Sequence, residues 1–222
     1  MKRKILFVMT LMFLLVLSGC IQVMPSSDSF KNLDLNIEKG TLCIYMGDTF
    51  SYTYHGGQND DYEIENNTFS IHQSLEGEAV LTLPETSYET LTLNVGNGHV
   101  YVYSDLSLQN FVLDVIQGEV NITNITVVQG STINIKRGSA YVTGGLGQFV
   151  DAQSNEGHLS LVVLAAQSDY NYTVSLSNGS LHLGTKNYKG RSSSDNINNG
   201  ASQTMTLNCS KGDMSIEFKN ND

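Results

Sequence analysis

The stretch Val95-Gly-Asn-Gly-His-Val-Tyr-Val102 (VGNGHVYV) alternates apolar and polar residues on both sides of a glycine turn. Alternation with period two describes short strands that each bury one face. VIQGEVNI at 115–122 repeats the pattern, and IKRGSAYV at 135–142 repeats it again. With the turn glycine as origin, the residues three and five before it and two and four after it are apolar. They are Leu93, Val95, Val100 and Val102 about Gly98, and Leu113, Val115, Val120 and Ile122 about Gly118. About Gly138 they are Ile133, Ile135, Ala140 and Val142. Further copies centre on Gly40, Gly179 and Gly212, and a weaker one on Gly157 (Ala152, Ser154, Leu159, Leu161), which makes seven.

A unit of this size cannot bury its apolar face alone, and stacking of neighbours supplies a continuous core. Gly98, Gly118, Gly138 and Gly157 follow at intervals of 20, 20 and 19. A sandwich of hairpins has no reason to hold period and register so closely. The expected fold is therefore all-β: a single-domain β-solenoid with coils of about 20 residues, successive copies lying on one another. The interval grows before Gly212, where TKNYKGRSSSDNINNGASQ (185–203) reads as a mobile insertion. Between Gly40 and Gly98 the pattern degenerates, with strands expected near Phe50–Tyr54 and Thr68–His72.

The chain begins with Lys2, Arg3 and Lys4, then an apolar run from Ile5 to Leu17, then Leu17-Ser18-Gly19-Cys20. The run is too short to span a bilayer comfortably and fits a secretory signal. LSGC resembles the bacterial lipobox, which implies cleavage after residue 19 and lipidation of Cys20, palmitate included. Residues 1–19 are then a signal peptide, 20–32 the lipidated cysteine and tether, and 33–219 the folded domain. Two or three acyl chains hold a protein durably, so the expected location is the extracytoplasmic face of the cell membrane. Without Lys2, Arg3 and Lys4 the charge balance is 9 Lys+Arg against 22 Asp+Glu, a net charge of −13. Such a surface excludes nucleic acid as a partner.

The lipobox, the segment SDYNYTVSLSNGSLHLG (168–184) followed by NYKG, and the closing LNCSKGDMSIEF (207–218) resemble the bacterial adhesin-like domains of unknown function. The likeness runs from about residue 33 to 218. It implies a right-handed, β-helix-like solenoid displayed outside the cell, and it brings no catalytic signature.

The same register sorts the outward residues. Four before the glycine stand Asn36, Asn94, Asp114, Asn134, Gln153, Ser175 and Asn208, which reads as a hydrogen-bonded polar ladder. A calcium-dependent polysaccharide-cleaving solenoid would need several carboxylates there. His99 and His158, one after their glycines, stand three coils apart, too far for one metal ion, and Glu119 beside His99 reads as an ion pair. Tyr101, Tyr103 and Tyr141 share an outward face and are the candidate ligand-binding residues, since exposed rings can stack on sugars or anchor a protein. Cys43 and Cys209 face opposite ways in distant copies and are expected to be free thiols. No catalytic residue, metal site or cofactor is expected. The function expected is an adhesin-like binding and display module, anchored by lipid, with envelope glycan or a surface protein as partner. The alternatives are an envelope-stress sensor working through a protein partner, and a β-helix polysaccharide-cleaving enzyme.

Overall fold

The computed structural model describes residues 30–56, 62–84 and 87–220. Cys20, the expected signal peptide and the tether up to residue 29 lie outside the described residues. Phe30 is fully buried and Asn32 opens the first strand. The described chain is all-β, with eighteen strands and one short 3₁₀ turn at Gln167–Asp169. They form one extensive sheet system that does not close into a barrel.

Strands on the two sides of the turn glycines build two ladders. Before the glycines run β1 (Asn32–Ile37), β5 (Thr68–Gln73), β7 (Ser87–Val95), β11 (Phe149–Ser154), β13 (Tyr170–Leu176) and β17 (Gln203–Cys209). After them run β2 (Thr41–Gly47), β6 (Gly77–Pro84), β10 (Ser139–Leu146), β12 (His158–Val163), β14 (Ser180–Leu183) and β18 (Asp213–Phe218). Two long strands, β8 (His99–Val115) and β9 (Glu119–Ile135), serve both ladders. All these strands pair in parallel. Val100, Val120 and Ala140 are directly paired and no more than 2% exposed, so like residues form rows. Every apolar position assigned in the seven copies is buried, and so is Ser154. Each inward Val, Ile or Leu contributes ~1.5–3 kcal/mol by burial, which makes these rows the main stabilising term.

Spatial order departs from chain order at both ends. The first ladder runs β5–β1–β7–β8–β9–β11–β17–β13, and the second β6–β2–β8–β9–β10–β12–β18–β14. The copy about Gly212 therefore slots between those about Gly157 and Gly179. The copy about Gly40 likewise lies inside a layer formed by β5 and β6. That layer is an eighth copy, centred on Gly77, which the sequence pattern conceals. Four residues separate β5 from the position facing Thr41, where three separate β1 from Thr41, so the apolar frame slips by one.

Antiparallel strands cover both ends. β3 (Ser51–Gly56) and β4 (Tyr62–Glu65) pair with β6 and β5, while β15 (Lys186–Lys189) and β16 (Ser193–Ile197) pair with β14 and β13. The segment 185–203, expected to be a mobile insertion, is thus largely an end cap. A parallel stack leaves unpaired N–H and C=O groups at each end, and these strands satisfy them. Aromatic clusters lie near each cap. Phe30 packs within 5.2–6.2 Å of Phe50, Phe69 and Tyr88, and Tyr172 lies 6.1 Å from Phe218.

The turn glycines form a spine: Gly77, Gly40, Gly98, Gly118, Gly138, Gly157, Gly212, Gly179. Of these only Gly40 has a positive φ, 76°. Six of the others are required by stacking, because a Cβ on Gly98, Gly118, Gly138, Gly157, Gly212 or Gly179 would sit 2.2–2.9 Å from the carbonyl oxygen of the glycine beneath. Where an inward residue near this spine is polar, it binds its own turn. Gln73 donates to Gly77 O at 3.2 Å, Ser154 to Gly157 O at 2.9 Å, and Cys209 to Gly212 O at 3.1 Å.

Candidate ligand-binding face

The outward residues of the second ladder form three rows. Five after the glycine, Tyr45 and Tyr103 come from neighbouring layers, with ring centroids 5.2 Å apart and planes 19° apart. Tyr103 stacks on Tyr101 at 6.1 Å, two residues back on β8, and Tyr101 on His99 at 6.5 Å. The result is a continuous strip of four rings, with Tyr103 51% exposed at its centre. Period-two geometry places His99, Tyr101 and Tyr103 on one side of β8. Parallel pairing of β2 with β8 brings Tyr45 alongside.

Of the three tyrosines singled out by sequence, Tyr101 and Tyr103 belong to this strip. Tyr141 faces the same way but stands two layers from Tyr101, across Asn121, about 10 Å at the usual strand spacing. It makes no ring contact among the described residues. Tyr45 was missed, because it belongs to a copy distant in sequence and becomes a neighbour only when β2 packs on β8. Its signal was present: Tyr45 and Tyr103 hold the same position in the repeat.

Stacking on neighbours partly dehydrates the strip. Burial raises the Tyr101 hydroxyl above its ordinary pKa, and the nearby Glu119 carboxylate raises it further. Burial likewise raises Tyr45, with Cys43 and Tyr103 adding to it. Tyr45 and Tyr101 therefore present neutral hydroxyls at neutral pH. Cys43, at an outward position, is nonetheless only 7% exposed. Burial and Glu78 push its thiol up, which keeps it protonated and unreactive. Cys209 is also buried and free.

The row one after the glycine confirms the expected pair, with His99 Nδ1 3.6 Å from Glu119 Oε2. Spatial order then puts Ser139, His158 and Asp213 on three adjacent strands. That is a nucleophile–base–acid sequence on paper, but the hydrogen bonds run elsewhere. Asp213 accepts from the Ser180 hydroxyl, and His158 makes no side-chain hydrogen bond among the described residues. No three His, Cys, Asp or Glu side chains come together as a metal site among the described residues. No described helix is long and apolar enough to cross a membrane.

On the first ladder the polar row is continuous in space: His72, Asn36, Asn94, Asp114, Asn134, Gln153, Asn208, Ser175. Two of its contacts are direct hydrogen bonds between layers, Asn36 to His72 at 2.9 Å and Asn134 to Asp114 at 2.8 Å. These two of the row's seven neighbouring pairs show the hydrogen bonding between layers that the alternation suggested.

No protein-family model matches the chain, and no curated protein matches it. Among solved structures, the chain is similar to a putative cell adhesion protein from Clostridium sporogenes ATCC 15579. The match covers 88% of this chain and 97% of that one, at 12% identity and a TM-score of 0.41. No residue role follows from a likeness that remote.

Proposed function

We propose that the protein is a non-catalytic, adhesin-like module, anchored outside the cell through lipid on Cys20 and engaging a surface partner through the tyrosine strip. The scaffold on this reading is a right-handed β-solenoid whose stacked layers hold surface groups in fixed register. The observation that carries it is the strip itself, four aligned rings on a rigid sheet with Tyr45 and Tyr103 exposed. Rings stacked on one another turn their edges and hydroxyls outward, and such rims suit a protein partner, where tyrosine is a favoured anchor. The test is photo-crosslinking in the native envelope, with a photoreactive residue at position 103 and, as control, at Thr173 on the other ladder. A discrete adduct at 103 that Tyr45→Ala removes supports the reading. Equal crosslinking from both positions, or an unchanged adduct in Tyr45→Ala, overturns it. Cys20→Ala should release the protein from the membrane fraction, and retention there would overturn the lipid anchor.

A further inference from the structure

The first ladder carries a groove of about 850 Å³ that the tyrosine strip does not touch. It crosses four adjacent layers, from β8 through β9 and β11 to β17. Three features make it.

The first is a notch. In the row eight before the turn glycines, Gly130 stands between Asn110 and Phe149. Gly130 is unlike the spine glycines. Its φ is not positive, and an added Cβ would find its nearest neighbour at 3.1 Å, against 2.2 Å at Gly118. Neither its backbone conformation nor a severe clash demands glycine, and the missing side chain opens the groove floor. The second is a bulge. Between Val127 and Gly130 β9 has two residues, Val128 and Gln129, where β8 has only Gln109 between Leu108 and Asn110. A bulge re-aims side chains at a sheet edge or site. Here it leaves Val128 50% exposed on the groove wall. The third is a platform. Phe149 is 59% exposed, the most exposed large apolar side chain described. Unlike Tyr101 and Tyr103 it stacks on no other ring among the described residues, so its face is free.

Around this apolar face stand uncommitted polar groups. Asn110, Gln129, Gln148 and Thr132 line the groove, and their side chains make no hydrogen bond among the described residues. An apolar surface flanked by a few convergent polar groups, in a concavity of this volume, is the usual form of a small-ligand site. We propose that this groove binds a single chain of an uncharged glycan, with one pyranose ring lying on Phe149 and its hydroxyls bonded by the flanking amides. Sugar rings present an apolar C–H face and a rim of hydroxyls, which matches a free aromatic face bordered by carboxamides. A pyranose ring is about as long as one strand spacing, so successive rings would meet successive layers. Charge selects against acidic chains, because Asp151 lines the groove and the residues after the basic leader carry −13.

The site is independent of the tyrosine strip, and so is its test. The full-length lipidated protein, held in a detergent without a sugar headgroup, is titrated calorimetrically with cellohexaose, with the hexamer of N-acetylglucosamine, and with a polygalacturonate oligomer. At least one neutral hexamer should bind and the acidic oligomer should not. Phe149→Ala should weaken binding at least tenfold with an unchanged urea midpoint, Gln129→Ala should weaken it severalfold, and Tyr103→Ala should leave it as it was. The proposal is overturned if neither neutral hexamer binds, if the acidic oligomer binds as well, or if Phe149→Ala binds like the native protein. Loss of binding in Tyr103→Ala alone would move the glycan to the tyrosine strip and also overturn it.

Discussion

Gly118→Ala tests the reading of the glycine spine. The new Cβ would lie 2.2 Å from Gly98 O and 2.7 Å from Val95 Cγ1. Ordinary contact begins near 3.4 Å, so the turn must retreat by about 1.2 Å from the layer beneath. Glu119 N donates to Gly98 O at 3.0 Å, and a retreat of that size takes this bond out of range. Overpacking costs ~1–3 kcal/mol and the lost hydrogen bond ~0.5–1.5 kcal/mol. Restriction of the unfolded chain by alanine returns ~0.4–1 kcal/mol. The net expectation is a destabilisation of ~0.5–4 kcal/mol. Gly145→Ala is the control. It lies in a strand of the same sheet, but nothing stands within 4 Å of its added Cβ. It should be neutral or slightly stabilising. Urea unfolding followed by far-ultraviolet circular dichroism compares the two midpoints at equal slope. If the two variants unfold at the same midpoint, or Gly145→Ala is the weaker, then layers do not meet at these glycines as described.

Ending the chain at Asn199 removes β17 and β18, which lie between the layers about Gly157 and Gly179. Hydrogen exchange should then show loss of protection over Tyr170–Leu183 while β7 to β9 remain protected, whereas retained protection of 170–183 would contradict the inserted position of the last copy. Tyr170 is buried with its pKa pushed up to about 12, chiefly by burial and then by Asp169. The folded state thus holds a proton that the unfolded state releases near pH 10, so this contribution is complete below pH 10 and is lost as pH rises towards 12. Tyr170→Phe should flatten the fall in urea midpoint between pH 10 and 12, and an unaltered pH profile would show that this hydroxyl is not the group responsible.

How far the sequence reaches can be judged from particular residues. The rows of Val100, Val120 and Ala140 were legible because period-two burial and a constant interval leave one register. Tyr101 and Tyr103 were legible as outward residues for the same reason. The glycines were visible as turn residues, but their purpose was not. A turn explains a glycine locally, whereas the 2.2 Å approach to the next layer exists only after stacking.

What escaped depends on contacts between distant segments. Gly77 was hidden because one extra residue before it shifts the apolar frame, although β5 and β6 still pair residue for residue with β1 and β2. The groove at Phe149 was hidden for a related reason. The extra residue in the β9 bulge is offset by one fewer at the preceding corner, where Thr123 alone spans what β8 covers with two residues. The period stays at twenty and no insertion shows. Local pattern therefore determined which residues face inward, since burial of an alternating strand is decided by the strand itself. The order of the layers, the caps at both ends, Tyr45 beside Tyr103 and the notch at Gly130 were decided by tertiary structure. Parallel strands pair through backbone groups that every sequence shares, so the repeat alone does not say which copy lies on which.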